Sequence, residues 1–152
     1  MSDNIFNVSK PIIGMIHLKP LPGSPNYDKS TWDMNKIINF AVEEAILESA
    51  GIDGLQIENY WDEPFLKGEK IGYETCTAIT AAAYEIARNV QIPIGINVHM
   101  NGAKAAMAIA CAVGAKWIRV FEFISAYVSF SGITEAVGGE VSRYRSMLDA
   151  KM

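Results

Sequence analysis

The sequence predicts an α/β protein of four βα units, about half of a (β/α)8 TIM-type barrel, as a single domain over residues 1–152. Two observations lead there. The first is a recurring joint. Ala50-Gly51-Ile52-Asp53-Gly54-Leu55-Gln56-Ile57-Glu58 returns in form as Val113-Gly114-Ala115-Lys116-Trp117-Ile118-Arg119-Val120-Phe121. Each copy is a helix end, a glycine, a short turn and an apolar strand. A related joint, Asn89 to Asn97, lies between them with Pro93 in the turn. Strands separated by helices in this way imply a parallel sheet with crossover helices. The second is side-chain parity. Leu55 and Ile57 alternate with Gln56 and Glu58, Ile94, Ile96 and Val98 with Gly95, Asn97 and His99, and Ile118 and Val120 with Arg119 and Phe121. An open sheet covered on both sides would be apolar on both faces, whereas a barrel turns its second face inward.

Taken in order, strand one is expected over Ile12–His17 behind Pro11. Pro20, Pro22 and Pro25 stiffen the loop that follows, since each fixes its own φ. Helix one opens near Ser30 to Asp33, where several residues could cap it. Met34, Ile37, Ile38, Ala41, Val42, Ala45 and Ile46 repeat at helical spacing, and Gly51 is the expected residue just past its end. Strand two is Gly54–Glu58, followed by a loop from Asn59 to Gly72. Helix two places Cys76, Ile79, Ala82, Ala83, Ile86 and Val90 on one face. Strand three runs Pro93–Val98, helix three Gly102–Val113, and strand four Trp117–Phe121. A loop then extends through Gly132. The last helix is expected over Glu140–Leu148, because Gly138 and Gly139 in its interior would cost about 1 kcal/mol each. A full barrel needs about 250 residues, so the units counted here make half of one.

Composition excludes several classes. A net charge of −4 provides no basic face for nucleic acid. No apolar run approaches the ~18 residues of a transmembrane segment, and Met1 to Lys10 lacks an apolar signal segment. Cys76 and Cys111 fall inside helices and read as buried, reduced thiols, which fits a cytoplasmic location. GxGxxG, Walker and GxSxG motifs are all missing.

The chemistry should lie at the C-terminal strand ends, where the βα loops of a barrel converge. Inward positions there are His17, Glu58, Asn97, His99 and Arg119, with Asn59 and Glu122 just beyond. Glu58 and His17 are the catalytic candidates, as acid or base. Asn59, Asn97, His99, Arg119 and Glu122 are the substrate-binding candidates. Arg119 suits a carboxylate or phosphate, and Asn97 a developing oxyanion. The plain reading is a structural ion pair of Glu58 with Arg119 inside the barrel. No HxH or HExxH spacing supports a metal, none is assigned, and the cofactor is unknown. Tyr60, Trp61 and Tyr127 either line a pocket or anchor loops.

The motif Ile13-Gly14-Met15-Ile16-His17-Leu18-Lys19-Pro20-Leu21-Pro22-Gly23-Ser24-Pro25 resembles the BtpA family (BtpA/SgcQ). The resemblance continues through Gly51 to Asn59, Asp62-Glu63-Pro64-Phe65, Ile92 to Val98, Gly114 to Arg119 and Arg143-Tyr144-Arg145. It implies a ribulose-phosphate-binding type of barrel, of which this chain matches the N-terminal half. It also implies either an enzyme of sugar or nucleotide-type metabolism, acting on a small phosphorylated molecule, or a non-catalytic factor of photosystem I biogenesis. His17, Glu58, Asn59, Asn97 and Arg119 match family motif positions. After strand four the chain reads Ile124-Ser125-Ala126 and Phe130 where the family has Thr-Gly-Ala and an aspartate. Half a barrel leaves strands one and four as bare edges. The expected partners are therefore a second copy or a complementary C-terminal half-barrel chain, beside the small-molecule ligand. A truncated fragment without activity of its own is the remaining alternative.

Overall fold

The computed structural model describes residues 5–6 and 8–152. The expectation about the extreme N-terminus therefore falls partly outside the described residues. Four parallel strands, β1 (Ile13–His17), β2 (Gly54–Glu58), β3 (Ile94–Asn97) and β4 (Trp117–Ile118), form a sheet in the order β1-β2-β3-β4. Between them run α1 (Met34–Glu48), α2 (Tyr73–Asn89) and α3 (Ala103–Val113), and α4 (Gly138–Met147) follows. Among these four strands the order follows chain order without the reversal that marks a doubly wound sheet, which is consistent with half a barrel.

Parity decides which face is covered. Ile16, Leu55, Ile57, Ile94 and Ile96 form one apolar cluster with Ile37, Ala41 and Ala45 of α1, Ile79, Ala82, Ala83 and Ile86 of α2, and Ala106, Ile109 and Ala110 of α3. The alanines let the helices lie close to the sheet. The opposite face carries the alternating set. The register places Met15 beside Gln56, Gln56 beside Gly95 and Gly95 beside Trp117, and one level up it places His17 beside Glu58 and Glu58 beside Asn97. Trp117 lies flat on Gly95, where a Cβ would collide with the indole ring, and its Nε1 donates to Gln56 Oε1 at 2.7 Å. Phe6 packs on the same indole with ring centroids 5.3 Å apart.

Several expectations need correction, although helix α1 opens within the expected Ser30–Asp33 stretch, capped by Asp33, whose carboxylate accepts from Lys36 N at 3.0 Å. It ends at Ser49 in a right-handed conformation, so Gly51 is not its left-handed terminator. Gly114 does hold that role for α3, with φ 75°. Ile46, expected on the buried face, is exposed. Strand β4 pairs only over Trp117–Ile118, although Arg119 N still donates to Ile96 O at 3.0 Å. Helix α4 begins at Gly138, not Glu140. Gly138 N donates to Phe123 O at 3.0 Å, and a Cβ there would meet that carbonyl. Both glycines occupy the first turn, where the helix makes no use of their N–H groups. The segment expected as a loop after β4 contains a hairpin, β5 (Tyr127–Ser129) and β6 (Gly132–Thr134). Cys76 is half-buried and Cys111 is exposed, so the buried-thiol expectation fails for Cys111. Among the described residues no helix is long and apolar enough to cross a membrane.

Candidate functional site

The uncovered face of the sheet ends in one polar cluster centred on Glu58. This carboxylate is almost fully buried at the C-terminal end of β2. Its Oε1 accepts from Arg119 Nη1 at 2.8 Å, and its Oε2 lies 3.1 Å from His99 Nε2 and 4.0 Å from His17 Nε2. The four residues come from, or directly follow, four different strands. Burial alone would raise the Glu58 pKa. The hydrogen bonds from His99 and Arg119 and their attraction outweigh it, and the carboxyl is held below its ordinary value.

Aromatic rings wall the cluster. Tyr60 stacks on His17 with centroids 4.4 Å apart. His99 sits between Phe65 and Phe121, each 4.9 Å away, and the Arg119 guanidinium lies 5.0 Å above Phe121. His99 and Asn97 are buried, whereas about a third of His17 and half of Arg119 remain open. Asn97 Nδ2 stands 3.2 Å from His99 Nε2, and Asn97 Oδ1 is buried without a partner among the described residues. One imidazole nitrogen cannot donate to Glu58 and accept from Asn97 at once. With Glu58 ionised the proton belongs on Nε2, and turning the Asn97 amide so that its oxygen meets that N–H satisfies both contacts. In the orientation present the other end of the amide has no partner among the described residues, and neither does Gln56 Nε2 one level below.

Asn59 and Glu122 are placed differently. Asn59 Oδ1 accepts from His99 N at 2.8 Å, and its Nδ2 donates to Asp62 Oδ2 at 3.3 Å. The amide thus fixes the end of β3. Glu122 Oε2 is buried without a partner, and no hydrogen bond or ion pair joins it to Glu58, His99 or Arg119 among the described residues. The structure thus brings together His17, Glu58, Asn97, His99 and Arg119, positions Asn59 beneath them and leaves Glu122 apart.

Three supports were not among the site candidates, although Asp62 and Phe65 lie in the motif that carries the family resemblance. Asp62 accepts from Leu21 N at 3.0 Å and so ties the proline-rich loop to the loop after β2; burial raises its pKa. Its spacing from Asn59 was the available signal. Asn101 adopts φ 56°, accepts from Glu122 N at 3.3 Å and donates to Glu135 O at 3.0 Å. Phe65 lies too far along the chain from His99 for any local pattern to join them. A cavity of about 1100 Å3 lies at the other end of the strands, beside Pro93, Lys116 and Met152, away from this cluster. Among the described residues no three His, Cys, Asp or Glu side chains are grouped to hold a metal ion.

The BtpA family profile matches residues 8–152. An uncharacterized protein of Archaeoglobus fulgidus is 45% identical over 145 residues, covering 95% of this chain and 56% of that protein. The photosystem I biogenesis protein BtpA of Synechocystis is 36% identical over 95% of this chain and 50% of its own length. SgcQ, named for the sgc region of Escherichia coli, is 31% identical over 96% of this chain and 53% of its own length. The chain spans about half the length of the curated relatives it matches. No solved structure matches it significantly. With the profile covering nearly every residue, the chain belongs to the BtpA family.

Proposed function

We propose that the chain is the N-terminal half of a (β/α)8 barrel whose C-terminal rim binds a small phosphorylated metabolite, of sugar or nucleotide type, and moves a proton on it. One observation carries this reading: a single buried carboxylate gathers Arg119, His99 and His17 from three other strands. A structural ion pair needs only Glu58 and Arg119. One imidazole hydrogen-bonded to the second oxygen and another 4.0 Å from it go beyond what stability requires, because each polar group drawn into a buried site brings its own desolvation cost.

The roles follow from exposure and charge. Arg119 uses Nη1 on Glu58, and its half-open guanidinium has further donors for an anionic group. His17 reaches both the open face and the carboxylate, so it is the residue able to carry a proton to a bound molecule. Glu58, expected to be the acid or base itself, is held ionised, which suits it to orient imidazoles. His99, Asn97 and Asn59 fix the geometry, and the unpaired ends of Asn97 and Gln56 are hydrogen-bonding positions for a polar ligand or water.

The test is thermal shift and calorimetric titration of the purified chain with inorganic phosphate, sugar phosphates and nucleoside monophosphates. At least one of these should raise the melting temperature. Arg119→Ala should abolish the shift and His17→Gln should retain binding. A shift that survives Arg119→Ala, or none across the series, would overturn the proposal and favour a non-catalytic assembly role.

A further inference from the structure

The hairpin β5–β6 sits beside this rim, and among the described residues it makes no hydrogen bond or ion pair with the Glu58 cluster. From Phe123 to Thr134 the chain carries no charged side chain. Ile124, Tyr127, Val128, Phe130 and Ile133 are 86%, 63%, 74%, 78% and 60% exposed. A segment this apolar would ordinarily collapse onto the body of the protein, but polar anchors hold it out. Lys67 Nζ donates to Ile133 O at 3.0 Å and Asn101 Nδ2 to Glu135 O at 3.0 Å, while the Thr134 hydroxyl, donating to Tyr127 O at 3.2 Å, ties the two strands of the hairpin to each other. Underneath, Phe130 approaches Phe65, with ring centroids 6.2 Å apart.

We propose that this hairpin is the surface through which two copies of the chain pair about a twofold axis, β5 against β5. Three features select a second copy as the occupant. The first is area: with Phe123, half exposed, these large side chains present on the order of 800 Å2, which is what one partner of a standard interface buries. The second is charge. The protein carries −4 overall, yet residues 123–134 carry no charge of their own, so their side chains meet their copies without repulsion, and the Lys67 ammonium at the edge stays on the Ile133 carbonyl. The third is the open edge. The Ile133 carbonyl of β6 is taken by Lys67, whereas β5 has β6 on one side and no strand on the other among the described residues. An antiparallel strand pair about a twofold axis is self-complementary. Because Phe130 leans on Phe65, which stacks on His99, pairing here would extend the aromatic wall of the rim into the second copy. The inference does not depend on what the rim binds.

The experiment is light scattering with size exclusion over a concentration series, on the chain and on the double variant Val128→Lys, Phe130→Asp. The chain should approach twice 16.7 kDa as concentration rises, and the variant should stay near 16.7 kDa with an unchanged circular dichroism spectrum. Hydrogen exchange on the unmodified chain provides a reading that needs no variant: amides of 127–129 should gain protection with concentration. A chain that is monomeric throughout overturns the proposal. So does a dimer that survives the double variant, which would move the contact to the open edges of β1 and β4. Concentration-independent exchange at 127–129 overturns it as well.

Discussion

Glu58 Oε1 accepts from Arg119 Nη1 at 2.8 Å although their strands, β2 and β4, are not neighbours. The contact passes over β3, whose Asn97 pairs beside Glu58. One pair of side chains thereby links strands that share no backbone hydrogen bond, and the same carboxylate reaches towards β1 through His17. The cluster therefore has a structural duty beside the chemical one proposed for it, and the two can be separated by measurement.

Glu58→Gln keeps the shape and removes the charge. Arg119 is half open to water and can recover part of its solvation, but buried His99 cannot, so a loss of about 2–3 kcal/mol is expected at neutral pH. The Glu58 pKa is depressed in the folded state, so its contribution is present above the unfolded carboxyl value of roughly 4.3 and disappears as pH falls through the folded value. Urea unfolding of both proteins at neutral and acid pH checks this: their midpoints should converge on acidification. A gap that is constant with pH would mean that shape, not charge, accounts for the loss.

Gly95→Ala tests the layer below. A Cβ at this position collides with the Trp117 indole, which is also fixed by its bond to Gln56. Overpacking of this kind costs about 1–3 kcal/mol. The urea midpoint should fall and the tryptophan emission should shift as the indole tilts. An unchanged midpoint would mean that Trp117 has somewhere else to go.

The strands and helices were legible because one face of each is apolar at a fixed period, and that period is local. It placed β1, β2, α2 and α3 within a residue or two, and it selected the Glu58 cluster because inward parity and the C-terminal strand ends coincide there. It missed what depends on distant contacts. Strand β4 is shorter than its apolar run because the chain turns away after Arg119, and Glu122 N is held by Asn101, from another loop. The Gly138–Gly139 start of α4 is set by the Phe123 carbonyl. The hairpin of Tyr127–Thr134 escaped because its exposed faces are apolar, which removes the alternation that marks a half-buried strand.

Cysteine reactivity distinguishes the two thiols that the sequence treated alike. Cys111 is exposed on α3, whereas Cys76 is half-buried, and burial together with the nearby Glu74 raises its pKa. A thiol-specific reagent should label Cys111 first, and Cys111→Ser should remove the fast phase. Equal rates at both sites would show that α2 opens as readily as the surface is reached.

Asp62 provides the sign opposite to Glu58. Its carboxyl is buried, it accepts from Leu21 N at 3.0 Å, and its pKa is raised by desolvation. A carboxyl with a raised folded value favours folding most below the unfolded pKa, and that advantage is lost as pH rises through the folded value. Asp62→Asn can keep an oxygen on Leu21 N without the buried charge, but it turns an amide NH2 towards Asn59 Nδ2, which loses its acceptor, so at neutral pH its stability should lie between those of the parent and Asp62→Ala. Asp62→Ala leaves Leu21 N without its acceptor and should cost about 1–3 kcal/mol, loosening the proline-rich loop. Thermal unfolding of the three proteins gives the order. An Asn variant as weak as the Ala variant would mean that the charge, and not the acceptor, ties the loops together.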